Sequence, residues 1–215
     1  MTSIDIKRRH IALALATTPL LTGPARAAGE PAEGREYVLV QQPQAVAVAG
    51  KTEVIEFFGY WCPHCRSLEP TLEAWAQRLP ADVNFRRVPV AWRPGQETYQ
   101  RLYFALEAVG APPSIHRKVF DAVQVQGMRL DLPAALTVFA AANGIDPKKL
   151  ADAMSGFAVS SKTRVATQVV QAYRIEGVPA FVVQGRFLTS PEKVGSDEGA
   201  LKVVDALVRK AKTAR

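Results

Sequence analysis

The feature that most constrains the fold is a closely spaced cysteine pair at the junction between two hydrophobic patterns. Residues 53–58 form a run rich in Val, Ile and Phe, with the length of a buried central strand. Gly-Tyr-Trp at 59–61 ends the run, and Cys-Pro-His-Cys follows at 62–65. Because proline favours the first position of a helix, a helix is predicted to begin at Cys62. The cysteines are therefore expected where a strand passes directly into a helix.

The next segments predict a β-α-β unit. Leu68, Leu72 and Trp75 recur at spacings of four and three, which gives the predicted helix a buried face. Residues 83–90 then have the pattern of a second strand. Two strands joined by a helix pair in parallel. Residues 35–41 predict an additional strand before this unit.

Residues beyond this unit predict a block of helices and then a return to strands. Two short strands at 180–183 and 186–188, joined by a turn, form a hairpin, and an amphipathic helix covers 198–212. The chain therefore predicts an α/β core interrupted by a helical block of about 70 residues. Three helices of the block are predicted from Tyr99, Leu102 and Leu106, from Ile115 and Val119, and from residues 134–142. A fourth follows Asp146-Pro147 and has Leu150, Met154 and Phe157 on its buried face. A fifth is predicted to be capped at Ser160 or Ser161 and to run to Gly177.

The first 27 residues have the pattern of a secretory signal. Basic residues at 7–9 precede a short apolar stretch at 11–21, and Ala-Arg-Ala at 25–27 is the small-x-small pattern that signal peptidase cleaves. The arginines at 8 and 9 resemble a twin-arginine signal, although general secretory signals also contain such pairs. The predicted destination is an oxidising compartment outside the cytoplasm, in which a disulfide persists.

The charge and composition exclude several function classes. The 215-residue chain has a net charge of +7, but loss of residues 1–27 would remove four basic residues and one acidic residue, which leaves +4. The basic segment at 209–215 is explained by the negative end of a helix dipole, so nucleic-acid binding is not expected. With 48% hydrophobic and 22% charged residues the chain resembles an ordinary globular protein. No apolar run reaches the roughly 18 residues of a membrane-spanning helix.

Three explanations of the cysteine pair without redox chemistry are unfavourable. A structural disulfide across a four-residue loop would stabilise the fold by only about 2 kcal/mol, against about 5 kcal/mol for a loop of about 100 residues. A zinc site needs about four ligands, and His64 and His116 are the only histidines outside the predicted signal. Covalent haem attachment needs a histidine directly after the second cysteine, where this chain has Arg66. A redox-active dithiol/disulfide pair remains.

The position at a helix start predicts different roles for the two cysteines. Cys62 lies where free backbone N–H groups and the helix dipole favour a thiolate, so it is expected to be the sulfur that attacks and is attacked. Cys65, one turn into the helix and on the same side, is expected to be the resolving cysteine. His64, if cationic or a hydrogen-bond donor, would stabilise the thiolate and make the disulfide a stronger oxidant.

The segment 57–65, followed by Glu69, resembles the active site of the family of periplasmic thiol:disulfide interchange proteins known as DsbA. The tetrapeptide Cys-Pro-His-Cys is highly specific for this family, and the resemblance covers essentially the whole chain after the signal. It implies a thioredoxin-like fold with an inserted all-helical domain. Residues 28–92 and 170–215 would form the thioredoxin-like domain, and residues 93–169 the insertion.

The resemblance also implies site residues beyond the cysteine pair. In the family an acid at the position of Glu56 lies beneath the pair and is thought to handle protons for the buried thiol; an outward-facing glutamate on a half-exposed strand is the competing explanation. Glu69 and Arg87 match charged positions near the active site, although residues of these types are more often simple surface charges. Thioredoxin-like proteins place a cis-proline opposite the redox pair, so the Val178–Pro179 bond is predicted to be cis, with the backbone of Val178 binding an extended substrate.

Together these arguments predict a set of site residues. The expected catalytic residues are Cys62, Pro63, His64, Cys65 and Glu56. The expected substrate-binding residues are Val178, Pro179 and an exposed aromatic pair, Tyr60 and Trp61.

The predicted function is donation of the Cys62–Cys65 disulfide to reduced, cysteine-containing secreted proteins through a mixed disulfide. By resemblance, a membrane quinone oxidoreductase of the DsbB type reoxidises the pair; no cofactor or metal is expected, and the protein is expected to be a monomer. A disulfide isomerase or reductase is one alternative, although isomerases of this group usually add an N-terminal dimerisation domain, for which the roughly 25 residues before the core strand leave no room. A non-catalytic peptide-binding chaperone, in which both cysteines are dispensable, is the other.

Overall fold

The computed structural model describes residues 30–213, so the predicted signal at 1–27 lies outside the described residues. Residues 31–213 belong to one compact unit. The strands are β1 (Val38–Leu39), β2 (Thr52–Phe58), β3 (Val83–Pro89), β4 (Ala180–Val183) and β5 (Phe187–Thr189). The helices are α1 (Pro63–Ala76), α2 (Gln96–Ala108), α3 (Ile115–Gln124), α4 (Pro133–Ala142), α5 (Pro147–Ser155), α6 (Phe157–Ala172), α7 (Pro191–Val194) and α8 (Asp197–Thr213).

Within the described residues the strands form one mixed sheet in the order β1-β5-β4-β2-β3. Strands β2 and β3 pair in parallel, as predicted, because α1 returns the chain to the same end of the sheet. Strand β4 pairs antiparallel with β2 and forms the predicted hairpin with β5. Gln184 and Gly185 at the turn have φ values of 52° and 63°, the left-handed conformation that a two-residue hairpin turn requires. Strand β2 therefore lies inside the sheet, and its carboxyl end leads into the cysteine motif.

Helices cover both faces of the sheet. Because successive side chains on a strand point to opposite faces, Val54 of β2 packs with Leu68 and Leu72 of α1, whereas Ile55 and Phe57 pack with the helices inserted after β3. All seven residues of β2 are buried. This pattern leaves Glu56, on the same face as Val54, in the interior beneath α1.

The inserted helices α2–α6 have the predicted place in the chain, but details of α5 and α6 differ from expectation. Phe157 was expected on the buried face of α5; instead α5 ends at Ser155, and Phe157 opens α6 with 83% of its surface exposed. The reason is Gly156, whose extended backbone (φ −69°, ψ 153°) breaks the helix and serves as the N-cap of α6. The predicted caps at Ser160 and Ser161 are therefore wrong, since both lie inside α6.

Two smaller differences concern the ends of the sheet. The strand expected at 35–41 is reduced to Val38–Leu39, which pairs only with β5 at the edge of the sheet. The short helix α7 was not predicted; it is capped by the Ser190 side chain, which accepts a hydrogen bond from the backbone N–H of Lys193 at 3.1 Å.

Helix α8 explains the basic C-terminal segment. Lys210 donates a hydrogen bond to the Tyr37 hydroxyl at 2.7 Å, and Lys212 pairs with Asp82 at 2.7 Å. These side chains are used within the fold, near the negative end of the helix dipole. Across residues 30–213, no helix is both long enough and apolar enough to cross a membrane.

Candidate active site

The cysteine motif begins α1 as predicted. Cys62 is the N-cap residue with an extended backbone (φ −91°, ψ 117°), and Pro63 occupies the first helical turn. The carbonyl of Cys62 accepts a hydrogen bond from the backbone N–H of Arg66 at 3.2 Å. Both cysteines are present as thiols. The backbone N–H groups of the first helical turn, which have no acceptor within the helix itself, thus lie beside the first sulfur.

The two thiols have opposite electrostatic surroundings. A hydrogen bond from the Cys65 thiol, assisted by the backbone N–H groups of Cys65 and His64, outweighs burial and lowers the pKa of Cys62 to about 6. Burial raises the pKa of Cys65 well above its usual value, and the neighbouring Cys62 and Glu56 add to this effect. Cys62 keeps 5% of its surface exposed, whereas Cys65 is completely buried. A thiolate is therefore stable at one sulfur and costly at the other.

A cleft of about 740 Å³ opens beside the motif, lined by His64, Val178 and Pro179 among others. The Val178–Pro179 peptide bond is cis, which confirms the prediction. The Cys62 thiol donates a hydrogen bond to the carbonyl oxygen of Val178 at 3.3 Å. The exposed His64 lies between the cysteines in sequence, at the same cleft. Charged side chains that also line the cleft are Arg174, Glu176, Glu192, Lys193 and Asp197.

Beneath the motif, two carboxylates share one guanidinium. Arg87 Nε donates to Glu56 Oε2 at 2.9 Å, and an Arg87 Nη atom donates to Glu69 Oε1 at 2.6 Å. Glu56 and Glu69 are 0% and 1% exposed, so the explanations of an outward-facing Glu56 and of a surface Glu69 are both wrong. Burial, only partly offset by Arg87, raises the pKa of each carboxyl to about 7. The cluster can therefore exchange a proton near neutral pH.

The solvent exposure of Tyr60 differs from the prediction. It was predicted to be exposed beside the cysteines, but only 1% of its surface is accessible, because its ring packs edge-on against Phe58 and Phe120. Its hydroxyl lies 2.7 Å from Nδ1 of His116 on α3. In the sequence, His116 suggests no more than an incomplete set of zinc ligands. The missed signal is that His116, Val119 and Phe120 follow a helical i, i+3, i+4 pattern, which places the histidine on the buried face.

Trp61 is half-buried and forms an aromatic patch with Trp92, which the sequence analysis did not single out. The two rings lie 5.5 Å apart, and Trp92 is 42% exposed. The Trp61 ring also covers Gly59, where an added Cβ would come within 2.5 Å of the ring. A side chain at Gly59 would therefore displace this aromatic surface from the motif.

A second residue missed by the sequence analysis is Gln124, at the end of α3. Its side-chain amide donates to the carbonyl oxygens of Tyr60 at 2.7 Å and of Cys62 at 3.0 Å. The insertion thus holds the backbone on which the first cysteine lies. The only available signal was a polar residue at the end of an amphipathic helix, which many surface residues share.

In the part of the chain that the structure describes, no group of three or more His, Cys, Asp or Glu side chains could hold a metal ion. A mixed sheet with a Cys-x-x-Cys pair at a helix start, opposite a cis-proline, defines a thioredoxin-like thiol:disulfide oxidoreductase.

Comparisons with known proteins narrow this class. The model of the DSBA-like thioredoxin domain family matches residues 53–198. Thiol:disulfide interchange protein DsbA of Bordetella parapertussis is 40% identical over 209 residues, which cover 97% of this chain and 98% of that protein. The DsbA of Pseudomonas aeruginosa strain PAO1 is 33% identical over 207 residues, which cover 96% of this chain and 98% of the relative.

Solved structures similar to this chain also belong to DsbA proteins. The crystal structure of Pseudomonas aeruginosa DsbA has a TM-score of 0.82 at 34% identity, with 86% of this chain and 96% of that chain covered. The oxidoreductase NmDsbA1 from N. meningitidis has a TM-score of 0.76 at 28% identity, with 85% and 95% covered. The chain belongs to the DsbA family of thiol:disulfide interchange proteins. The predicted thioredoxin-like fold with a helical insertion and the predicted oxidoreductase activity are confirmed.

Proposed function

We propose that this protein oxidises paired thiols of reduced secreted proteins by donating the Cys62–Cys65 disulfide. The observation that carries the proposal is the contrast between the two thiols, with the pKa of Cys62 lowered to about 6 and that of Cys65 raised. A stabilised Cys62 thiolate stabilises the reduced protein. Every 1.4 kcal/mol of such stabilisation raises the reduction potential by about 30 mV, which makes the disulfide more oxidising.

The reaction has two exchange steps. A substrate thiolate attacks Sγ of Cys62; the Cys62–Cys65 bond breaks, and Cys65 leaves and takes up a proton. A second thiolate of the substrate then attacks the substrate sulfur of the mixed disulfide, which forms the substrate disulfide and releases Cys62 as a thiolate. Cys62 is the better leaving group in this second step because its pKa is low.

Glu56 supplies the proton for the first step in this proposal. An ionised Cys65 would be a buried charge, so its formation is unfavourable unless a proton arrives with it. Glu56 retains a proton near neutral pH because its pKa is raised to about 7 by burial, and its charge influences Cys65 directly. His64 contributes its backbone N–H to the Cys62 thiolate, and Pro63 orients the first turn of α1.

Substrates bind along the cleft beside the cis-proline. When Cys62 is protonated, the Val178 carbonyl accepts the Cys62 S–H. An oxidised Cys62 has no such hydrogen, so the carbonyl is available to the N–H of an extended substrate at Pro179, which selects little sequence. Trp61 and its neighbour Trp92 provide an aromatic contact on the other side of the motif. Tyr60 is buried, so we do not include it in the substrate-binding surface.

The cellular setting follows from the family resemblance and the leader-like residues 1–27. The protein is proposed to be exported to the periplasm, to be reoxidised by a DsbB-type membrane quinone oxidoreductase and to act as a monomer. Residues 28–92 and 170–215 would form its thioredoxin-like domain and residues 93–169 its insertion, although the second boundary falls within α6.

The test is the redox equilibrium of the Cys62–Cys65 pair in glutathione buffers, read by mass-tagging of free thiols. The pair is expected to be half reduced at a potential well above that of thioredoxin, whose reduction potential is about −270 mV. A pair that stays oxidised until strongly reducing conditions would instead indicate a reductase or a structural bridge.

In a second experiment, Cys62→Ala should abolish oxidation of a reduced test protein, with Thr71→Ala on the same helix as the matched control. Retained function without both cysteines would favour the chaperone.

A further inference from the structure

Three buried polar atoms without a hydrogen-bond partner lie in one cluster around the active site. Among the described residues such atoms are Glu56 Oε1, Glu69 Oε2, His116 Nε2 and, elsewhere, Gln100 Oε1. Unpaired buried polar atoms are rare and usually have a functional explanation. His116 Nε2 and Glu69 Oε2 face each other at 3.5 Å, just beyond hydrogen-bond length.

The surroundings of His116 determine which of its nitrogens carries a proton. The ring is 6% exposed and packs against Phe58 with ring centroids 4.8 Å apart. Burial lowers the pKa of His116 to about 3, so the imidazole is neutral and has a single N–H. Tyr60, whose pKa burial raises well above its usual value, keeps its hydroxyl proton and lies 2.7 Å from Nδ1, to which it can donate that proton. Because Nε2 faces a carboxylate oxygen of Glu69 at 3.5 Å, the tautomer with its N–H on Nε2 gives each ring nitrogen a hydrogen-bonding neighbour.

The two carboxylates compete for one cation. Arg87 can neutralise one of the charges of Glu56 and Glu69, and the pKa of each carboxyl is raised to about 7, so one proton is shared between them near neutral pH. Of the two carboxylates, Glu56 is the one that adds to the rise in the pKa of Cys65, after burial and the neighbouring Cys62. The other charged and titratable groups that act on this cluster are Glu73 on α1, Tyr103 and Glu107 on α2 and Arg117 on α3.

We propose that His116 is a positioning residue that keeps the shared proton on Glu56, beside Cys65, by donating its Nε2–H to the ionised Glu69. The inference deepens the proposed oxidase mechanism and rests on it. When the disulfide breaks, the Cys65 thiolate takes the proton from Glu56, and both carboxylates are then held by Arg87 and the Nε2–H of His116. Glu56 regains a proton from water before the next cycle.

The location of the proton can be measured without any activity assay. NMR titration of protein with ¹³C-labelled glutamate carboxyls should show Glu56 dominating the upper titration step and Glu69 the lower one in the wild type. His116→Phe should reverse this order, because Glu69 loses its donor. The signal of Glu36, which pairs with Arg35 outside this cluster, should be the same in both proteins and is the internal control.

His116→Gln is the second variant, since its amide keeps a donor near the position of Nε2. It should restore the wild-type order even if it is less stable. A Glu69-dominated upper step in the wild type would overturn the proposal, and so would identical titrations of the wild type and His116→Phe. If His116→Phe does not fold, the wild-type titration and His116→Gln still decide the matter.

The kinetic counterpart is the rate at which a reduced peptide attacks the oxidised protein, measured in a single turnover between pH 5 and 9. His116→Phe and Glu69→Gln should each lower this rate at pH 7 about tenfold. The double variant should be no slower than Glu69→Gln alone, because the histidine acts through Glu69. Additive losses would overturn the proposal. An inactive wild type with the expected proton order would instead refute the oxidase function alone.

Discussion

Strands β2 and β3 carry two buried glutamate–arginine pairs that have the same residue types but different hydrogen-bond partners. Glu53 pairs with Arg86 at 3.0 Å and also accepts the backbone N–H of Ala47 at 3.0 Å. Glu56 pairs with Arg87 at 2.9 Å, but this arginine also serves Glu69. Both glutamates are essentially inaccessible to water.

The difference lies in the number of donors for each carboxylate. Both oxygens of Glu53 contact Arg86, whose side chain is 33% exposed, so water can also stabilise the pair. In contrast, Glu56 Oε1 has no partner, and Arg87 is only 19% exposed. A buried ion pair is therefore a structural element when its donors match its acceptors. It becomes an acid–base site when two carboxylates share one cation.

Removal of the arginine should give the largest difference in stability between the Glu56–Arg87 and Glu53–Arg86 pairs. Arg87→Met leaves two buried carboxylates without a counterion and is expected to lower the free energy of unfolding by about 3–5 kcal/mol at pH 8. Arg86→Met should cost about 1–3 kcal/mol, because Glu53 keeps the Ala47 donor. Urea unfolding of the reduced proteins measures both values. Equal losses would show that sharing Arg87 has no energetic significance.

The pH dependence of stability should distinguish the carboxyls next. Folded Glu56 holds its proton up to about pH 7, whereas the unfolded residue loses it near pH 4.5. Between these values the folded state binds more protons, so this contribution to the free energy of unfolding falls as pH rises, by up to about 1.4 kcal/mol per pH unit. The stability difference between wild type and Glu56→Gln should show this slope.

The control for this prediction is Thr71→Ala, a substitution that changes no titratable group and should leave the slope of stability against pH as it is in the wild type. Urea unfolding of all three proteins at half-unit intervals from pH 4.5 to 7 is sufficient. Parallel curves for wild type and Glu56→Gln would mean that the buried carboxyl carries no proton in this range.

The smallest expected effect is kinetic. Glu56→Gln cannot deliver a proton to Cys65 and should slow single-turnover oxidation of a reduced peptide about tenfold at pH 7. Glu53→Gln, whose site faces away from the cysteines, should stay within about twofold of wild type. Stopped-flow measurement of intrinsic tryptophan fluorescence is a suitable readout. A comparable slowing in both variants would attribute the effect to sheet distortion rather than to proton transfer.

Much of the fold was predictable from local pattern. The apolar run of β2, proline at the start of α1 and the turn between β4 and β5 each specify their element within a few residues. The prediction failed at Phe157 because the hydrophobic spacing of the helix continues to this residue, although Gly156 ends the helix before it. The site was predictable where the motif is contiguous, at residues 62–65, and in the cis bond before Pro179.

The sequence by itself determined the redox pair, its position at a helix start and the order of strands and insertion, because these depend on neighbouring residues and short-range periodicity. Only the tertiary structure decided the charge environment beneath the pair. Glu56, Glu69, Arg87 and His116 come from four separate elements, and one sequence does not reveal that they meet. Their properties depend on burial and on how many donors face each carboxylate, which are consequences of packing rather than of residue type.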